Sequence, residues 1–184
     1  MNNVDTNIFR AELSTGERIL WSGQPRQGIV FRNFDIFLIP FSLAWGGFIA
    51  IWELFAVGAG APSFFACFGI PFVLVGLYFI FGRFIVDAQR RKKTYYALTN
   101  ERILIISGLF SRNIRTLNLK QLPDINLALK GDGSGTITFG ANQAMPWLAG
   151  FEWWGIGNFR APSFELVEDA RQVYELVRKT QREV

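Results

Sequence analysis

Histidine is absent from these 184 residues, and cysteine occurs once. Without an imidazole, no Ser-His or Cys-His nucleophile pair can form within the chain, and the common zinc sites lose their usual nitrogen ligand. The single thiol, Cys67, allows neither an intrachain disulfide nor a CxxC redox pair. The first 33 residues carry Asn, Asp, Thr, Glu and Arg throughout and have no apolar core near their start, so a cleavable secretory signal is not expected. A concentrated basic face is missing too. The net charge is only +4, and the 14 Lys and Arg found from Asp87 onward are offset there by ten acids, which argues against a nucleic-acid partner. No catalytic, cofactor-binding or metal-ligating residue is assigned, and no specific small molecule is expected.

Charge is itself lacking over two long stretches. Ile36 to Trp52 contains no charged side chain, and after Glu53 the sequence from Leu54 to Gly82 contains none either. About 20 apolar residues in helix cross a hydrocarbon core about 30 Å thick. The break falls at Val57-Gly58-Ala59-Gly60-Ala61-Pro62-Ser63, where two glycines and a proline disfavour continuous helix. The expectation is a transmembrane hairpin over residues 34–87, with crossings near 35–57 and 63–86. Cys67 falls inside the second crossing as a small packing or lipid-facing residue, with reversible acylation as the alternative.

Basic flanks set the sidedness. Arg18, Arg26 and Arg32 precede the first crossing; Arg83 and the run Arg90-Arg91-Lys92-Lys93 follow or end the second; the reversal has none. Both termini are therefore expected in the cytoplasm of a multi-pass inner-membrane protein. Arg90, Arg91, Lys92 and Lys93 serve topology, and they are also the candidate contacts to anionic lipid headgroups. Glu53 lies about 27 Å along the helix from Asp35, near the far headgroups. Its alternative role is that of an intramembrane proton or ion carrier, whereas Arg83 can snorkel to the cytoplasmic side.

After Lys93 the apolar pattern shortens. Tyr95–Leu98 and Arg102–Ile106 flank Thr99-Asn100-Glu101 as a hairpin, and Ile114–Leu119 suits a third strand. Ile125, Leu127 and Leu129, then Ile137 and Phe139, alternate with polar residues around the turn Gly131-Asp132-Gly133-Ser134-Gly135. Those glycines do not form a phosphate loop, because a strand follows them rather than a helix. A sixth strand is expected near Phe159. Leu166, Val167, Ala170, Val173, Tyr174 and Val177 recur at helical spacing, which predicts a C-terminal helix starting at Pro162-Ser163 with Ser163 as N-cap.

Tyr96-Ala97-Leu98-Thr99-Asn100-Glu101-Arg102, followed by Ile103-Leu104-Ile105 and Ser107-Gly108, resembles the signature hairpin of the bacterial membrane-associated pleckstrin-homology-like family. Leu119, Pro123-Asp124-Ile125 and Gly133 through Phe139 are similar to its later strands, and Phe164 through Val177 to its closing helix. Gly16-Glu17-Arg18-Ile19-Leu20-Trp21-Ser22-Gly23-Gln24-Pro25 resembles the segment that precedes its transmembrane hairpin. The resemblance implies an α+β membrane protein: a two-helix transmembrane hairpin plus a PH-like bent β-sheet or barrel over residues 94–181, closed by a C-terminal helix. The family fold resembles seven strands, so Arg18 to Gly23, within the cytoplasmic segment 1–33, is expected to supply one. Phosphoinositide-binding relatives of the wider superfold carry several cations at the first hairpin; here there is Arg102, with Arg112 and Arg115 further along.

The stretch between Gly140 and Pro162 carries Met145, Trp147, Leu148, Phe151, Trp153, Trp154, Ile156 and Phe159. Its rings either pack over the sheet or dock on lipid or a partner, and Trp147, Phe151, Trp153 and Trp154 are the candidate docking residues. The function expected is a non-catalytic, membrane-tethered interaction or assembly module. Its partners are the bilayer and another membrane protein or a second copy. The alternative is a small oligomeric transport or channel component, or an accessory subunit of a membrane enzyme; Gly46-Gly47 and Gly76 are its packing surfaces.

Overall fold

The computed structural model describes residues 6–31, 35–60, 62–109, 111–122, 124–140 and 161–184, with the side chains at 63 and 65–67 left aside. It divides into two compact units. One joins residues 1–27 to 89–184 and the other spans Gly28–Ala88.

In the second unit the uncharged runs form helices. Helix α2 spans Asp35–Gly58; α3, Ser63–Leu77, passes through a π-helical turn at Tyr78–Gly82 into α4, Arg83–Lys92. Helix α2 ends where Gly60 takes φ +68°, a left-handed conformation in which a Cβ would be strained. The two helices approach closely at Gly46, where a Cβ on Gly76 would lie 3.4 Å from the Gly46 Cα. Both helices are long and apolar enough to cross a membrane, and their large side chains lie mostly bare.

The first unit is mixed α+β. A short helix α1 (Asn7–Arg10) precedes β1 (Ile19–Gly23); after α4 come β2 (Tyr95–Thr99), β3 (Arg102–Ser107) and β4 (Asn113–Asn118). These strands form an antiparallel sheet in the order β1-β2-β3-β4, with Ser22 opposite Ala97 and Ile105 opposite both Tyr96 and Arg115. Strands β5 (Ile125–Leu129), β6 (Gly135–Phe139) and β7 (Ser163–Val167) form a second antiparallel sheet, and α5 (Ala170–Glu183) packs on β5 and β6. Among the described residues neither β4 with β5 nor β7 with β1 is hydrogen-bonded as a sheet pair, so these strands make two sheets and not a closed barrel.

Three boundaries differ from the sequence reading. Ser163 is no helix cap: residues 163–167 pair with β6, because Phe164 and Leu166 alternate with Glu165 as a half-buried strand requires, and α5 starts only after Asp169. The strand after β6 is therefore Ser163–Val167; the position near Phe159 lies outside the described residues. Leu119 belongs to a 3₁₀ turn, Leu119–Gln121, capped by the Asn118 side chain, which accepts from the Lys120 N–H.

The core lies between the sheets and α5. Phe164 is its centre, with ring centroids 4.7 Å from Tyr96, 5.0 Å from Phe139 and 5.4 Å from Trp21. Around it are Leu98, Ile103, Ile105, Ile137, Val173 and Val177. Residues Ile103–Ile106 are all buried because the sheet is covered on both faces. Phe9, fully buried, packs on the opposite face with Ala97, Leu104 and Ile106.

Candidate functional site

The basic run Arg90-Arg91-Lys92-Lys93 ends α4 and divides by exposure. Arg90, Lys92 and Lys93 are exposed, whereas Arg91 retains only 4% of its surface. Arg91 donates from its guanidinium to the Arg26 carbonyl at 3.0 Å, and its own carbonyl accepts from the Gln27 side chain at 3.4 Å. Lys93 donates to the Leu109 carbonyl at 2.9 Å. The Thr94 hydroxyl closes the helix end on the Arg90 carbonyl at 2.8 Å. Within the first unit, residues 24–27 and 90–94 thus run side by side at the two points where the chain departs for the hairpin and returns from it.

Residues 25–27 are held from two further directions. The Arg26 N–H donates to the Leu166 carbonyl at 2.9 Å, where Leu166 takes φ +52° beside the irregularity in the β6–β7 register. The Arg26 guanidinium pairs with Asp132 at 2.6 Å. Asp132 also accepts from the hydroxyl and backbone N–H of Ser134, and these bonds, with Arg26 after them, hold its carboxyl below the usual range.

Two of the cations near the β2–β3 hairpin, Arg102 and Arg112, are engaged. Glu17, whose side chain is fully buried, receives Arg102 on both oxygens, from Nε at 2.8 Å and from a terminal nitrogen at 2.7 Å. It also accepts from the Thr99 hydroxyl and the Ser14 N–H. Arg102 reaches the Glu12 carbonyl at 2.8 Å as well. The Arg102 hydrogen bonds above all, with those of Ser14 and Thr99, hold the Glu17 carboxyl down at about 2, against the opposing effect of burial. Arg112 is occupied by the Ile8 carbonyl at 2.9 Å and Glu12 at 3.4 Å, and Arg115 is half-buried on β4.

In the second unit, Arg83 does not extend alone toward solvent. It pairs with Asp35 at 2.8 Å, with side-chain exposures of 5% and 13%, and stacks over Phe84, whose ring meets Phe31. Glu53 lies beside an open groove lined by Ala50, Leu54, Val57 and Val73. One of its oxygens, Oε2, is buried and has no hydrogen-bond partner among the described residues. It packs on Gly69, where any Cβ would overlap the carboxylate. Trp147, Phe151, Trp153 and Trp154 lie outside the described residues, as does the side chain of Cys67. Among the described residues no cluster of His, Cys, Asp or Glu could hold a metal ion.

Phe9, the Glu17–Arg102 pair and the Asp35–Arg83 pair take their roles from partners remote in sequence. One signal lies in the sequence: four consecutive aliphatics, Ile103–Ile106, in a strand demand a cover for the second face of the sheet. Compared with protein-family models, curated proteins and solved structures, the chain matches none.

Proposed function

We propose that this protein is a non-catalytic, membrane-tethered interaction or assembly module. The hairpin of α2 and α3–α4 anchors it in a bacterial cell membrane. The first unit, a domain of the pleckstrin-homology-like kind, stands at the cytoplasmic face for another membrane protein or a second copy. The observation that carries this reading is the bare apolar surface of the hairpin. Phe37, Leu54 and Phe55 are each 74% exposed and Phe64 73%. A helix inside a soluble core buries such side chains, whereas hydrocarbon solvates them. Among the described residues, seven strands in two antiparallel sheets with a helix packed on one of them support the domain type.

A direct test washes membranes containing the full-length chain with alkaline carbonate. Retention in the pellet and release only by detergent is the expected result; a water-soluble monomer overturns the anchor. Proximity crosslinking in native membranes then identifies the partner.

The second reading, a small oligomeric transport component, has one observation in its favour: a carboxylate oxygen of Glu53 with no partner among the described residues, inside an apolar hairpin. Conductance of purified, reconstituted protein, abolished by Glu53→Leu, would favour it.

A further inference from the structure

The exposure pattern of the basic run supports a narrower statement than the run itself. We propose that Arg90 and Lys92 contact the phosphates of anionic phospholipids in the leaflet around the second crossing, and that Arg91 takes no part in lipid contact. The inference rests on the membrane reading above.

Helical geometry sets the depth. Val86 is the last apolar residue of the crossing, and Arg90 and Lys92 lie about 6 and 9 Å beyond it along a helix rising 1.5 Å per residue. The headgroup layer on each side of the hydrocarbon is roughly 5–8 Å thick. Both side chains therefore reach phosphate depth with their aliphatic stems directed back toward the acyl chains.

Azimuth sets the roles. Successive helical residues are about 100° apart, so Arg90 and Lys92 point to either side of Arg91. Arg91 faces the first unit, where its guanidinium holds the Arg26 carbonyl at 3.0 Å. Its neighbours are left exposed on the two flanks, and lipid surrounds both flanks of a helix leaving a bilayer. Lys93 is partly spent on the Leu109 carbonyl at 2.9 Å. Charge fits the same occupant: Asp87 is the one carboxylate in the sequence of α4, against Arg90, Lys92 and Lys93 exposed at its end.

The test uses the full-length protein in phosphatidylcholine vesicles and electron spin resonance. It compares immobilisation of spin-labelled phosphatidylglycerol with that of spin-labelled phosphatidylcholine. The wild type is expected to prefer phosphatidylglycerol. Arg90→Gln with Lys92→Gln should lower that preference by up to about fivefold per charge removed, and added salt should weaken the wild-type preference. Arg91→Gln should keep the preference within about twofold while making the first unit more susceptible to trypsin.

An unchanged preference in the double variant, or a loss in a still-folded Arg91→Gln protein, overturns the assignment. Carbonate extraction of the same samples separates the two failures. A chain retained in the membrane without lipid preference refutes only this inference, and a chain that leaves the membrane refutes the anchor as well.

Discussion

The Glu17 carboxylate and the Arg102 guanidinium close a two-pronged ion pair at 2.7 and 2.8 Å across 85 residues of sequence, with the entire apolar hairpin between them in the chain. The pair joins the loop before β1 to the tight turn between β2 and β3. It does so where Asn100 also grips Arg18, accepting from its N–H at 2.7 Å and donating to its carbonyl at 3.1 Å. An insertion of some sixty residues is tolerated because both of its ends leave the first unit at neighbouring points.

Acid should weaken this closure. The Glu17 carboxyl falls from an ordinary 4.5 to about 2 on folding, so its contribution is complete above about pH 4.5 and is lost as pH falls toward 2. The shift corresponds to about 3 kcal/mol. Thermal unfolding of the detergent-solubilised chain, followed by near-ultraviolet circular dichroism, should show this loss setting in below about pH 5 and continuing toward pH 2. Glu17→Gln should be less stable at pH 7 by about 2–4 kcal/mol and flatter across that range.

Phe9 is a plug whose removal leaves a hole. Phe9→Ala should cost about 3–5 kcal/mol. Hydrogen exchange should report faster opening at Ala97, Leu104 and Ile106, which contact Phe9, than at Ile103 and Ile105 on the opposite face. Uniform loosening of both faces would contradict a cover specific to one side.

Deleting residues 1–30 removes both the plug and β1, exposing the β2 edge to which β1 is hydrogen-bonded. The first unit should then be cut by trypsin far faster than in the full chain. Unchanged protease resistance would mean that the strand contributes nothing to its stability.

Gly69 and Glu53 are coupled by shape. Gly69→Ala should cost the hairpin no more than about 1 kcal/mol, because the new methyl displaces only the end of the flexible Glu53 side chain, which borders an open groove. Glu53→Ala should relieve most of that cost, giving a coupling of up to about 1 kcal/mol in a double-mutant cycle of thermal stability in detergent. Additive effects would show that the two residues do not meet.

Sidedness can be read with single thiols. Cys67→Ser leaves the chain without cysteine. Cysteine at Ala59 should then react with an impermeant maleimide on intact cells, and cysteine at Gln181 only after lysis. The reverse pattern would invert the topology.

The two long helices are legible in the sequence because long apolar runs, interrupted only by Glu53, need no distant partner to be interpreted. Strands β2, β3, β5 and β6 are legible for a related reason: apolar runs flanking turn residues mark β2 and β3, and period-2 alternation marks β5 and β6, all local signals. The start of α5 is not. Leu166, Val167 and Ala170 fit a helical stripe, yet residues 163–167 sit beside β6, and backbone pairing overrides the apparent period. The candidate lipid contacts were visible only as a run of four cations. Their division into buried Arg91 and exposed Arg90 and Lys92 depends on the Arg26 carbonyl, 65 residues earlier in the chain.

By itself, the sequence determined the apolar hairpin, the local strand and turn pattern, and the absence of histidine and of a second thiol. Each is a property of neighbouring residues or of composition. Only the tertiary structure decided which charges are spent inside the fold. Arg102 on Glu17, Arg112 on Glu12, Arg83 on Asp35 and Arg26 on Asp132 are all satisfied by residues remote in sequence. A cation advertises its charge locally, but whether that charge faces solvent or a carboxylate depends on what long-range packing brings beside it.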